Sequence, residues 1–185
     1  MKKVFMMAGV LFAFSGLCAA QAKDAPKTIT QILDGGVKVI ESEFVPAAEA
    51  MPEDKYSFAP TSGEFKGVRT FAQQVKHVAA VNYMLAAAIL EEKPPVELGG
   101  ENGPDNIKSK ADIVKFAKDS FVYAHKAVNS VTSENATGEV KSPFSNNKLT
   151  RAGLSTMFAW HGFDHYGQMV EYLRMNGIVP PASRQ

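Results

Sequence analysis

Two histidines, His161 and His165, lie four residues apart in a segment whose apolar spacing predicts a helix. Residues at i and i+4 lie on the same face of a helix, so both imidazoles can reach one metal ion. In the zinc-protease motif a glutamate follows the first histidine, whereas Gly162 follows it here. The pair therefore indicates half of a metal site and argues against a peptidase. The same spacing also fits a hydrogen-bonded polar core without metal.

A complete site needs a third ligand from another helix, and only His77 and His125 remain. His77 is the better candidate, because it lies beside the inward stripe of the predicted second helix, which can pack next to the fourth. His125 has Lys118 and Lys126 nearby, which indicates a wetter environment. Each of these two histidines, considered alone, is more often structural than a ligand.

The first 22 residues have the order of a secretory signal: Lys2-Lys3, an apolar stretch, then small residues ending at Ala22. We expect cleavage after Ala22, so that the protein is exported to the periplasm or secreted. A lipid anchor on Cys18 is the weaker alternative, because the expected leucine three residues upstream is missing. The apolar stretch is too short for a retained membrane span.

Cleavage of 22 of the 185 residues leaves 163, with 18 basic and 19 acidic side chains and no cysteine. A chain of this length normally forms one domain, here residues 23–185. Without cysteine, a metal must be held by nitrogen and oxygen. The nearly neutral charge and the lack of a basic cluster exclude nucleic acid and an anionic membrane surface as partners.

Four amphipathic segments predict four helices, bounded by capping residues, glycines and prolines. The first runs from about Ile29 to Met51, after a Thr28–Gln31 capping-box pattern. The others run from a capping pattern at Thr61–Glu64 to Pro94, from Ser109 to Ser133, and from Lys148 to Asn176. No segment has the alternation of a strand. The sequence thus predicts an all-α four-helix bundle with one shared core.

The inward stripe of the fourth helix is polar at its centre. Burying polar side chains there costs stability unless each one finds a partner. The predicted stripe consists of Leu154, Met157, His161, His165, Gln168, Tyr172 and Met175.

These segments together resemble the DinB-like family. The resemblance is carried by Met51–Tyr56, Phe58–Thr61, Phe71–Ala79, His161–Gln168 and Tyr172–Arg174. It implies an up-down-up-down four-helix bundle that holds a divalent metal with three histidines, one on the second helix and two on the fourth. On this sequence, those ligands are His77, His161 and His165.

The resemblance leaves the reaction open, because DinB-like proteins include thiol-dependent transferases and a maleylpyruvate isomerase beside members with no assigned reaction. Three nitrogens leave coordination positions free for water or substrate, as in catalytic sites. Zinc and nickel are the expected metals. We expect Gln168 first, and also Asn82, Asp164 and Tyr166, to support the ligands or handle protons.

The first hypothesis is an exported, divalent-metal-dependent transferase or hydrolase that acts on a small molecule. A thiol co-substrate fits poorly with export, because the compartment is oxidising. The alternative is a non-catalytic metal- or ligand-binding, or stress-related, bundle protein. An enzyme should have a concave, partly apolar pocket above the histidines. A homodimer formed through a helix pair stays open.

Overall fold

The computed structural model describes residues 27–184, and the predicted signal segment lies outside them. Within this range the chain folds into four long helices, one small hairpin and two single 3-10 turns. The elements are α1 (Ile29–Ala50), α2 (Phe71–Leu90), α3 (Lys110–Asn129), β1 (Glu139–Lys141), β2 (Lys148–Thr150) and α4 (Arg151–Met175), with the 3-10 turns at Glu53–Lys55 and Pro181–Ser183. The prediction of an all-α four-helix bundle is confirmed.

The start of the second helix was predicted wrongly. The capping pattern at Thr61–Glu64 precedes no helix, because the chain turns there and both Gly63 and Gly67 have positive φ. The helix begins at Phe71, where Thr70 and Gln73 form a reciprocal capping box. The box at the start of α1 matches its prediction.

The fourth helix begins three residues later than predicted. Residues 148–150 form β2, which pairs with β1 in an antiparallel hairpin just before α4. The Thr150 side chain then accepts a hydrogen bond from Gly153 N and caps α4. Only three residues on each strand pair, so the hairpin is too short to show a period-two pattern.

The helix directions differ from the predicted up-down-up-down order. α2 and α3 run parallel, since Asn82 contacts Ser120 in mid-helix and Glu92 pairs with Lys126 where both helices end. α1 and α4 are also parallel, because Gly36 faces Ala159 and, further along both helices, Glu43 is bonded to Tyr166. α1 and α3 are antiparallel, because Asp34 pairs with His125 and Glu49 with Lys118. The order is therefore up-down-down-up.

The long connection between α2 and α3 explains this order. It has 19 residues, from 91 to 109, and can span up to about 60 Å, whereas α2 is about 30 Å long. The connection therefore returns along the outside of α2 before α3 begins. Lys76 of α2 donates to the carbonyl oxygen of Pro104 in this crossover loop, at 3.0 Å.

Each helix packs against two others: α1 against α3 and α4, and α2 also against α3 and α4. α2 and α4 are antiparallel neighbours, linked near one end by Gln74 and Gln168 and near the other by Glu91 and Arg151. This contact gives the second and fourth helices a shared interface. No helix in residues 27–184 is long and apolar enough to span a membrane.

Gly162 lets α4 approach α1 closely. A Cβ atom at this position would lie 2.5 Å from Ile40 Cγ1, well inside van der Waals contact. Ile40 is completely buried in the core. The residue that replaces the protease glutamate therefore has a packing role.

Candidate metal centre

Three histidines meet between α2 and α4. One ring nitrogen of each of His77, His161 and His165 lies within 4.8 Å of the corresponding nitrogen of the other two. The Nε2 atoms of His77 and His161 are 3.2 Å apart. The ring centroid of His165 is 4.6 Å from the centroid of His77 and 4.6 Å from that of His161. The antiparallel packing of α2 on α4 thus brings together all three predicted ligands.

The crossover loop fixes the orientation of His77. Its Nδ1 lies 2.6 Å from the backbone carbonyl oxygen of Glu101. A carbonyl oxygen can only accept, so Nδ1 carries the proton and the lone pair of a neutral ring is on Nε2. The loop therefore presents the Nε2 lone pair of His77 to the other histidines.

Two glutamines fix the orientation of His165 in the same way. His165 Nδ1 donates to Gln74 Oε1 at 2.6 Å, and Gln74 Nε2 donates to Gln168 Oε1 at 2.8 Å. Gln74 is 1% exposed, so this hydrogen-bonded chain is internal. It leaves His165 Nε2 as the lone-pair nitrogen.

His161 is held differently. Its Nδ1 is buried and has no hydrogen-bond partner within residues 27–184. The ring of Trp160 lies edge-on to it, with 6.3 Å between centroids. Trp160 itself is 57% exposed.

The environment keeps all three rings neutral at neutral pH. Burial is the main cause and lowers the pKa of His161 and of His165 to about 4. Burial also lowers the pKa of His77, although the Glu101 carbonyl opposes this shift. Neutral imidazole is the form that ligates metals.

These residues fit a divalent metal. Two nitrogens bound to one tetrahedral zinc at about 2.0 to 2.1 Å are about 3.3 Å apart, close to the separation of His77 Nε2 and His161 Nε2. Without a metal, His161 can supply one proton for two facing lone pairs, those of His77 and His165. A cation accepts all three lone pairs, and a set of three nitrogens suits zinc or nickel.

The remaining predicted residues lie in different places. Gln168 reaches His165 only through Gln74. The Asp164 side chain is 69% exposed, with Oδ2 4.0 Å from His165 Nε2. Asn82 donates to Ser120 at the α2–α3 interface, and Tyr166 donates to Glu43 of α1. The structure does not bring Asn82 or Tyr166 to the triad, because their side chains point to other helices.

His125 lies outside the triad, between α1 and α3. Its two ring nitrogens face carboxylates, Asp34 at 2.6 Å and Glu41 at 3.0 Å. Both nitrogens are thereby engaged in a structural cluster. This matches the choice of His77 as the third candidate ligand.

Sequence reasoning missed Gln74, Arg69 and the Glu101 carbonyl. Gln74 is three residues before His77, so helical spacing alone places it on the same face. The Glu101 contact uses a backbone atom of a loop, for which no side-chain pattern exists. Arg69 lies just before the α2 cap and was hidden by the wrong start of that helix.

A polar cavity of about 420 Å³ adjoins the triad. Its wall includes Gln74 and Gln168, which also form the support of His165, but no histidine ring. The predicted enzyme pocket was concave, partly apolar and above the histidines. The observed cavity is instead polar and beside them.

Fold and site together define the class as an all-α bundle with a three-nitrogen centre between its second and fourth helices. The DinB superfamily model matches residues 39–169, more than half of the chain and a range that includes all three histidines. The protein therefore belongs to the DinB superfamily. A comparison with curated proteins found no match.

Proposed function

We propose that this protein binds one divalent metal ion, zinc or nickel, through His77, His161 and His165, and uses it in a transferase or hydrolase reaction on a small molecule. The observation that carries the proposal is the convergence of the three rings while two Nδ1 atoms are held by the Glu101 carbonyl and Gln74. Orienting contacts of this kind typically accompany metal-binding histidines. Metal binding also agrees with membership in the DinB superfamily.

When bound, such an ion acts as a Lewis acid and lowers the pKa of a water or thiol nucleophile. The protein contributes a desolvated site and a nearby carboxylate. The rings are desolvated, which strengthens electrostatic interactions at the site. The exposed Asp164 carboxylate is near His165 Nε2 and can accept the proton that a nucleophile releases.

Export is part of the proposal and rests on residues 1–22. An oxidising compartment outside the cytoplasm disfavours a low-molecular-weight thiol as co-substrate. Water is the more available nucleophile there, which favours hydrolysis.

One observation favours the alternative of a non-catalytic metal-binding protein. His77 and His165 are only 5% and 6% exposed, and the adjoining cavity is not lined by the rings. A site closed in this way would bind metal without admitting a substrate. Exchange of the bound metal and access to small chelators separate the two functions.

The first test is the metal content of the purified protein, measured by elemental mass spectrometry beside His77→Ala, His161→Ala and His165→Ala. We expect about one metal per chain in the wild type and its loss in the three variants. His125→Gln is the matched control, because it changes a histidine of the separate α1–α3 cluster. Metal-free wild-type protein after reconstitution with zinc and nickel would reject the proposal.

Trp160 provides a second readout. It is the chain's single tryptophan and lies beside His161. Titration of the metal-free protein with Ni²⁺ should quench its fluorescence with a one-to-one end point, and a chelator should reverse the change. Unchanged fluorescence together with unchanged stability on chelation would instead support a hydrogen-bonded polar core without metal.

A further inference from the structure

Arg69 is a half-buried cation without an acidic partner. Within residues 27–184, no carboxylate lies in ion-pair distance of its guanidinium. Its Nε donates to Asn102 Oδ1 at 3.3 Å, and its backbone carbonyl accepts from the Tyr172 hydroxyl. The two terminal nitrogens of the guanidinium therefore keep their donor capacity for a ligand.

Arg69 lines the polar cavity beside the triad, where its neighbours are neutral amides. The polar side chains of this cavity are Arg69, Gln73, Gln74, Asn102 and Gln168. Arg69 is the only charged residue among them, so the lining has a net positive charge. That charge also contributes to the lowered pKa of all three histidines.

The amide oxygens at this cavity are already engaged. Gln73 Oε1 accepts the Thr70 N–H in the α2 capping box, and Asn102 Oδ1 accepts from Arg69. Because a backbone N–H and a guanidinium N–H can only donate, each amide must turn its oxygen, and not its NH₂ group, toward that partner. The NH₂ groups of Gln73 and Asn102 remain as donors.

The two inner amides follow the same rule. Gln74 Oε1 accepts from His165 Nδ1, and Gln168 Oε1 accepts from Gln74 Nε2. The cavity thus combines one cationic fork with free N–H donors, while its side-chain carbonyl oxygens are in use. A chemical group with acceptor oxygens and a single negative charge complements such a lining.

We propose that this cavity binds the carboxylate group of a small substrate, with Arg69 as its anchor and the amides of Gln73 and Asn102 as further donors. A planar carboxylate matches the bidentate geometry of a guanidinium. Since the cavity shares Gln74 and Gln168 with the support of His165, a carboxylate bound there lies next to the residues that orient this histidine. The inference deepens the proposed function, on which it rests, by naming the substrate class.

The test is calorimetric titration of the metal-loaded protein with succinate and with its neutral analogue succinamide. Succinate should bind and succinamide should not. Arg69→Gln should weaken succinate binding by about tenfold or more while metal content stays at the wild-type level. Lys126→Gln is the control, because it removes an exposed positive charge at the opposite end of α2 and α3.

A second variant keeps the test valid if Arg69→Gln folds poorly. Asn102→Asp places a carboxylate against Arg69 on an exposed loop residue and should displace succinate to a similar degree. Equal binding of succinate by the wild type and both variants, or equal binding of succinamide, would overturn the inference, as would a wild type that binds no succinate at millimolar concentrations. Absence of metal from the wild type would reject the proposed function. Succinate binding is then measured on the metal-free protein, so that a failure of the proposed function and a failure of this inference are told apart.

Discussion

His77 and Glu101 are joined by a 2.6 Å hydrogen bond from an imidazole Nδ1 to a backbone carbonyl oxygen. The bond links the metal centre to the bundle's topology, because Glu101 lies in the crossover loop that parallel α2 and α3 require. The loop that returns the chain to the start of α3 thus also sets the tautomer of a candidate ligand. Changes in this loop should therefore alter metal affinity without touching a histidine.

Gly103→Ala tests this link. Gly103 has φ +75°, and a Cβ there would lie 2.8 Å from Lys76 Cβ, so the loop must move away from α2. We expect metal affinity to fall by about 10- to 100-fold, as is typical when a histidine loses its orienting partner. The measurement is a competition titration against a chromogenic zinc chelator.

Gly100→Ala is the control for backbone strain. Gly100 also has positive φ, +85°, but nothing lies within 4 Å of an added Cβ. This variant should lose some stability and keep its zinc affinity. If both alanine variants weaken zinc binding equally, strain in the loop rather than the Lys76 clash is responsible.

The two glutamines behind His165 should differ in effect. Gln74→Leu removes the direct acceptor of His165 Nδ1–H and should lower zinc affinity by about 10- to 100-fold. Gln168→Leu leaves that bond in place and should have a smaller effect. Because Gln168 acts through Gln74, the double variant should resemble Gln74→Leu alone in a double-mutant cycle of zinc affinities. Additive losses would contradict this order.

The sequence predicts much of the bundle because helix spacing and caps are local properties. Thr28 and Gln31 form the expected capping box, and His77, His161 and His165 meet where a contact between the second and fourth helices would put them. The predicted inward stripe of α4 is correct near its centre. At the end of the stripe, Met175 is 51% exposed, whereas Gly162, outside the predicted stripe, is buried. The reason is that α4 packs against both α1 and α2, so its buried surface is wider than one stripe.

Helix direction and the inner hydrogen bonds could not be predicted in this way. Up-down-down-up and up-down-up-down bundles bury the same helix faces, and only the path of residues 91–109 separates them. Gln168 was named from the sequence and lies behind Gln74 in the hydrogen-bonded chain to His165, but Gln74 itself was not predicted, since glutamine side chains are mostly exposed. Asn82 was misplaced because it lies on the side of α2 that faces α3.

Gly162→Ala should destabilise the protein. The added methyl group meets Ile40 in a filled core, where overpacking typically costs about 1 to 3 kcal/mol. Gly167→Ala on the same helix is the control, because nothing lies within 4 Å and alanine favours the helix by up to about 1 kcal/mol. Urea unfolding should show a loss for the first variant and a small gain for the second. Equal changes would mean that helix propensity alone decides both.

The stability of the metal-free protein should decrease as the pH is lowered from about 6.5 to about 4. The folded pKa of His161 and of His165 is about 4, mainly because of burial, against 6.5 for an exposed histidine. In this window the unfolded chain binds more protons than the folded one, so the free energy of unfolding rises with pH. Urea unfolding with a chelator present, at several pH values, measures the slope.

The same urea unfolding series on His161→Phe, and on Asp34→Asn as the control, separates the groups that contribute to this slope. Replacing His161 should make the slope between pH 6.5 and 4 shallower, because one site of proton uptake on unfolding is lost. Burial raises the pKa of Asp34, but hydrogen bonds from Lys38 and His125 outweigh it and leave the pKa below 3.8. Its contribution to stability is complete above pH 3.8 and lost as the pH falls through its folded pKa, so Asp34→Asn should leave the slope above pH 4 unchanged. A slope unaffected by His161→Phe but removed by Asp34→Asn would assign the acid sensitivity to the α1–α3 cluster instead of the triad.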